Sequence, residues 1–264
     1  MTIADLLAAS GLERSDGEVL LAAAFGVERS WILAHGGDEA DAVAAGTFMG
    51  FALRRMKGEP VAYILGEKEF YGRMFRVGPG VLVPRPCTEE LVGDALDFLD
   101  GIREASVREI DSGISLVTRP LRDLGAVRTV VDVGTGSGCI AITTACERND
   151  VRCIAIDVSD EALETARANA ERHGVSDRVT FVLGSGLDPV ADLQEPFFVV
   201  SNPPYVADET LLADDVRAFE PMLALMGGGT DGADIVKTIA REAKAHDYCA
   251  GIAVECLTAQ TSVF

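Results

Sequence analysis

The sequence predicts an α/β protein, a doubly wound and mostly parallel sheet preceded by a small N-terminal helical domain. Three observations predict it. Short β-branched runs alternate with stretches of helical length from residue 128 onward. A glycine-rich turn follows the first of those runs. The first 57 residues carry helical patterns only. Strands and helices alternating at this spacing imply right-handed crossovers, and so parallel neighbours.

In the N-terminal part, Ser15-x-x-Glu18 reads as a capping box ahead of the apolar run Val19 to Phe25, and Trp31, Ile32 and Leu33 continue an apolar helical face. Residues 39–57 contain no proline and end in the basic turn Arg54-Arg55-Met56-Lys57, followed by Gly58. Glu69-Phe70-Tyr71 and Met74 to Val77 flank Gly72-Arg73, a hairpin turn. Val81 to Pro86 is extended chain, and Thr88-Glu89-Glu90 opens a helix with acids in its first turn. Residues 101–127 show no strong pattern and read as a helix tail and a loop-rich insertion. Strands follow at 128–133, 151–156, 179–183, 197–200 and 251–255, with helices at 139–146, 159–173 (Ser159 as N-cap) and 231–246.

Composition narrows the function. The chain has 264 residues, 48% hydrophobic and 25% charged, enough apolar material for a full core. No apolar run approaches the roughly 18 residues of a membrane span. The N-terminus has no basic stretch of a secretory signal, so a cytoplasmic protein is expected. Six cysteines without a C-x-x-C pair read as buried, reduced thiols. His35, His173 and His246 lie in unrelated contexts, which leaves a Ser-His-Asp triad or a histidine metal site without support. The net charge of −19, with lysine only at 57, 68, 237 and 244, disfavours phosphate backbones and therefore nucleic acid. It suits a basic protein partner or a salt-rich cytoplasm, and solubility alone accounts for it most simply.

Two segments carry chemistry. Gly134-Thr135-Gly136-Ser137-Gly138 lies between a strand and a helix, where glycines let the backbone turn tightly against a ligand. Dinucleotide enzymes use a similar turn. Asp132 ahead of it, and Asp157 at the end of the next strand where a carboxylate can accept both ribose hydroxyls, favour S-adenosylmethionine. The second segment, Asn202-Pro203-Pro204-Tyr205, directly follows a strand. Its prolines stiffen the chain and remove amide donors, leaving carbonyls and the Asn202 oxygen as acceptors. Two acceptors gripping a planar –NH2 orient its nitrogen and raise its electron density, and Tyr205 can pack on the planar group. In-line methyl transfer then needs positioning and electrostatics, with no metal and no covalent intermediate.

With these motifs the chain resembles the HemK/PrmC family, protein-(glutamine-N5) methyltransferases acting on the Gly-Gly-Gln glutamine of class 1 peptide-chain release factors. Gly58 to Gly66, Glu69-Phe70-Tyr71 and Val83 to Pro86 with Thr88-Glu89 match, as do the glycine loop, Asn202 to Tyr205, Glu220-Pro221, Gly227-Gly228 and Asp231-Gly232. The resemblance implies a Rossmann-like methyltransferase sheet at 87–264, a hairpin and linker at 59–86 and a helical substrate-docking domain at 1–58. It implies S-adenosylmethionine held by Gly134, Thr135, Gly136, Ser137, Gly138, Asp157, Leu187 and Asn202. Asn202, Pro203, Pro204 and Tyr205 would hold the glutamine amide.

The sequence departs from the family pattern in several places. Cys87 stands where an acid is usual, Leu187 where a large side chain often touches adenine, and Gly186 where an acid often precedes it. The 101–127 segment is longer than the usual link, and the chain stops at Phe264, before the family's last antiparallel strand pair. That pair is therefore expected to be missing, leaving an aggregation-prone sheet edge at 251–255. If the chain is a stable monomer all the same, 101–127 is the first candidate to cover that edge. Competing readings are an adenine-N6 nucleic-acid methyltransferase using the same grip, which the acidic charge disfavours, and a truncated donor-binding protein without turnover. A nicotinamide dehydrogenase would leave the Asn202 segment without a role.

Overall fold

The computed structural model describes all 264 residues, which fall into two compact units, Met1–Glu67 with Leu212–Phe219, and Lys68–Leu211 with Glu220–Phe264. No helix is long and apolar enough to cross a membrane.

The first unit opens with α1 (Ile3–Ala9), α2 (Arg14–Phe25), α3 (Arg29–Ala34), α4 (Ala42–Met56) and α5 (Val61–Leu65), packed on Ile3, Leu6, Leu20, Leu21, Ile32, Phe48 and Ile64. The capping box falls at Thr2 and Asp5. Ser15 lies inside α2, and Glu18 makes no cap: it is buried and accepts from Arg14 and Arg29. A buried carboxylate is held far better by two guanidinium groups than by a frayed backbone end. Of Trp31, Ile32 and Leu33 only Ile32 is buried, because a six-residue helix turns only one of three successive positions inward.

β1 (Glu67–Phe70), which opens at the last residue of the first unit's leading segment, and β2 (Arg73–Arg76) form a hairpin. Its turn is Tyr71-Gly72, one residue earlier than expected, with φ of 51° and 72°. Two positive φ values are what a type I′ two-residue hairpin turn requires. Then come α6 (Glu89–Leu99), β3 (Ser106–Asp111), β4 (Ile114–Pro120), β5 (Thr129–Val133), α7 (Cys139–Glu147), β6 (Arg152–Asp157), α8 (Asp160–His173), β7 (Val179–Leu183) and β8 (Phe197–Ser201). α9 (Asp214–Phe219) belongs to the first unit, and α10 (Asp234–Ala245) and β9 (Cys249–Leu257) complete the second. Ser159 caps α8, accepting from the Ala162 amide.

The seven-stranded sheet runs β3-β4-β9-β8-β5-β6-β7, parallel from β9 to β7. Alternate residues of its strands enter two cores. Val130, Phe198 and Ala253 pack with α6 and α7 residues on one face, and Val131, Val199 and Ile252 pack with Ile239 of α10 on the other. The doubly wound fold is therefore as expected, but the sheet is not short of its antiparallel pair. Residues 101–127, read as a helix tail and loop, contain β3 and β4. β4 pairs antiparallel with β9 from Ile114↔Leu257 to Pro120↔Gly251, and β3 pairs antiparallel with β4.

The physical reason this hairpin escaped the pattern is polar burial. Ser115 and Thr118 of β4 are buried and satisfied by Thr258 and Asp94, which interrupts the apolar run that a covered strand usually shows. β3 now forms the edge, and it is guarded by Arg108, Glu109 and Asp111 and by a register shift between Glu109 and Asp111. Charges and bulges on an edge strand discourage pairing with another chain. The aggregation-prone edge expected at 251–255 is absent, since β9 is hydrogen-bonded on both sides.

Candidate active site

The chain moves outward from β5 to β6 to β7, then crosses back to place β8 on the other side of β5. Such a switch point leaves a crevice at the carboxyl ends of the strands. Here it holds a cavity of about 670 Å³, lined by residues of the glycine loop, Asp157, Gly184 to Gly186 and Asn202 to Pro204.

On the β5–β6 side, Gly134 and Gly136 adopt φ of 73° and 55°. This left-handed backbone, costly for other residues, turns the Gly136 N–H onto Asp157 Oδ2 at 2.9 Å. Asp157 Oδ1 accepts from the Ser159 N–H at 3.0 Å. Burial pushes the Asp157 carboxyl above its ordinary value, and these main-chain bonds pull it back. Each oxygen keeps a lone pair for a ligand. Below the loop, Asp132 is buried; its Oδ2 accepts from Thr135 Oγ1 and the Ala141 N–H, while Oδ1 has no partner. Desolvation raises this carboxyl to about 7. The volume, the apolar wall of Val81, Leu82 and Ile140, the glycine cradle and the Asp157 lone pairs fit S-adenosylmethionine.

On the β8–β9 side, Ser201 ends β8 by donating to the Val133 carbonyl at 2.6 Å. Asn202 donates through Nδ2 to Thr88 Oγ1 at 2.9 Å. Thr88 donates to Glu255 Oε2 at 2.8 Å, and the Tyr205 hydroxyl donates to Glu255 Oε1 at 3.0 Å. The chain after Asn202 is braced by close backbone approach. A Cβ on Gly227 would stand 2.7 Å from the Pro204 carbonyl oxygen and 2.8 Å from the Tyr205 Cα, so only glycine fits there. Gln260 Nε2 donates to the Tyr205 carbonyl. Arg85 pairs with buried Glu220, which also accepts from the Val83 N–H.

Of the residues expected at the site, Gly134, Thr135, Gly136, Ser137, Asp157, Asn202, Pro203 and Pro204 line this one cavity. Three do not. Gly138 caps α7, where a Cβ would crowd Ala166 of α8. Leu187 is buried in the core with Val131, Ile156 and Ile239; Glu242 holds its N–H at 2.9 Å, and Gly184 to Gly186 line the cavity instead. Tyr205 turns its hydroxyl back to Glu255, so it stands behind the site and not upon it. The sequence assigns no role to Thr88 or Glu255; its one signal is that Thr88 falls in a segment matching the family. The cysteines carry no disulfide, and burial raises the Cys139 and Cys249 thiols to about 12.

Comparison with known proteins agrees with this geometry. The methyltransferase small domain matches residues 105–222, and the PrmC N-terminal domain matches residues 2–66. A release factor glutamine methyltransferase of Nitratidesulfovibrio vulgaris is 43% identical over 73% of this chain and 57% of its own length. Those of Xylella fastidiosa and Neisseria gonorrhoeae are 38% and 39% identical, over 89% and 92% of this chain and 76% and 80% of their own lengths. The chain belongs to the release factor glutamine methyltransferase family. As a member it is a methyltransferase with S-adenosylmethionine as methyl donor.

Proposed function

We propose that this chain methylates the side-chain amide nitrogen of the Gly-Gly-Gln glutamine of class 1 peptide-chain release factors. The observation that carries the reading is that Asn202, Pro203 and Pro204 line the same cavity as the glycine loop and Asp157. S-adenosylmethionine supplies an electrophilic methyl on a sulfonium. Gly134 to Ser137 and Asp157 hold the donor through main-chain groups and carboxylate. Asn202 spends its Nδ2 on Thr88, which leaves Oδ1 to accept from the glutamine –NH2. Neither proline has an N–H to compete. Gripped by acceptors, the amide nitrogen is oriented for in-line attack, and this positioning supplies the catalysis. The helical residues 1–58 dock the factor, a role suited to a cytoplasmic enzyme of translation.

The test mixes purified protein and labelled donor with a release factor, the same factor with its Gly-Gly-Gln glutamine changed, and adenine-containing DNA. Label is expected in the first alone. Label in the DNA alone would replace this reading with the adenine-N6 one.

A further inference from the structure

We propose that Glu255 is a positioning residue for the transfer: acting through Thr88, its carboxylate fixes which way the Asn202 amide faces. The proposal rests on the reading of Asn202 as the group that holds the substrate amide.

The argument is a count of protons. An ionised carboxylate only accepts, and a hydroxyl has one hydrogen to give. Thr88 Oγ1 lies 2.8 Å from Glu255 Oε2, so the Thr88 hydrogen goes to Glu255. Toward Asn202, at 2.9 Å, Thr88 can then only accept. That position of the Asn202 amide must therefore be its –NH2, and Oδ1 is left for the cavity that Asn202 lines. The two ends of an asparagine amide have almost the same size and shape, so packing alone does not choose between them. A flipped Asn202 would present N–H to the N–H of a substrate amide, and the grip would become a repulsion. The direction of one buried hydrogen bond decides between these states.

Glu255 is placed for this task. It has no exposed surface and does not line the cavity, so it touches neither substrate nor donor. Both of its oxygens are engaged, one by Thr88 and one by Tyr205, so the carboxylate cannot turn. It sits on β9, hydrogen-bonded between β4 and β8, with Leu116 as its partner across β4. Burial pushes the Glu255 carboxyl above its ordinary value, while the hydrogen bonds of Thr88, Tyr205 and the Asn202 amide and the Arg85 guanidinium favour its charged form; the thiols of Cys87 and Cys256 nearby are themselves pushed up by burial and stay neutral.

Asparagine occurs only at 149, 169 and 202, so protein labelled with nitrogen-15 asparagine shows three side-chain –NH2 pairs. Asn169 bonds the Arg76 and Ser137 carbonyls and serves as an internal control for folding. In the wild type the Asn202 pair should exchange slowly with solvent. In Thr88→Val, which keeps the shape and removes the relay, exchange at Asn202 should speed up about tenfold while Asn169 is unmoved. The kcat for a release factor should fall by about 10- to 100-fold with the donor KM within about twofold. Thr88→Ser should recover most of that loss. Glu255→Gln, whose neutral amide no longer dictates the direction, should lower kcat as well, and the double variant should lose less than the product of the two single losses. The proposal is overturned if Thr88→Val and Glu255→Gln keep kcat within twofold, or if kcat falls while the Asn202 pair is unchanged. A wild-type protein that methylates no release factor refutes the proposed function instead, and the exchange measurement still decides the relay.

Discussion

The cavity has two carboxylate-bearing walls that work at different depths. On the β5–β6 wall, Asp157 lines the cavity and takes its hydrogen bonds from main-chain N–H groups of Gly136 and Ser159. On the β8–β9 wall, Glu255 is fully buried and takes its hydrogen bonds from the hydroxyls of Thr88 and Tyr205. A carboxylate fixed by backbone and open to the cavity spends its remaining lone pairs on a ligand. One buried behind hydroxyls can only set the orientation of what stands in front of it. On the proposed reading, the same functional group serves affinity on one wall and rate on the other.

Substitutions that separate affinity from rate test this contrast. The largest effect is expected for Asn202→Ala, which removes the front of the rate wall. Its kcat should fall by about 100-fold or more, because the lost acceptor works chiefly in the transition state, while calorimetry shows donor affinity nearly unchanged. Wild-type turnover in this variant would refute the grip. Asp157→Ala should do the reverse. Loss of a hydrogen bond to a charged group is worth about 1.5–3 kcal/mol, or roughly 10- to 150-fold in donor affinity, with kcat at saturating donor little altered. Unchanged calorimetric affinity would take Asp157 out of the donor site.

A third test uses Asp132, the carboxylate beneath the affinity wall. Burial raises its folded value to about 7, above the 3.8 of an ordinary aspartate, so between those pH values the folded chain holds more protons than the unfolded one. Stability contributed by the protonated group is full below the lower value and is lost as pH rises toward 7. Donor-free wild type should therefore lose melting temperature relative to Asp132→Asn between pH 4 and 7, by about a few degrees. Parallel melting curves would show that Asp132 is not shifted. The smallest effect belongs to Tyr205→Phe, which removes one of two bonds to Glu255 and leaves Thr88 in place. A drop in kcat of about two- to fivefold is expected in steady-state assays, and a loss as large as that of Asn202→Ala would mean that Tyr205 touches the substrate.

What the sequence disclosed follows the range of the interactions. The glycine loop and Asp157 lie at neighbouring strand ends, and strand–turn–helix chemistry is local enough to be read directly. The Asn202 segment was equally plain, because consecutive prolines after a strand leave few alternatives. Glu255 was legible only as the end of a strand: its bond to Thr88 spans 167 residues, and no spacing rule announces a contact of that length. Leu187 was placed against the donor by position alone, whereas the Glu242 bond to its N–H goes with a side chain sunk in the core. The β3–β4 hairpin was hidden because Ser115 and Thr118 look like loop residues until Thr258 and Asp94 arrive to satisfy them.

That hairpin gives the molecule an order in time. β4 leaves the ribosome long before β9, and Ser115 meets Thr258 only after 143 further residues have been made. At ordinary elongation rates of about 5–20 residues per second, the wait is on the order of ten seconds. The strands β5, β6 and β7 are all complete within that interval. The wall proposed to hold the donor can therefore take shape on a nascent chain, whereas the wall proposed to orient the amide waits for β9 to pair between β4 and β8 and bring Glu255 behind Thr88.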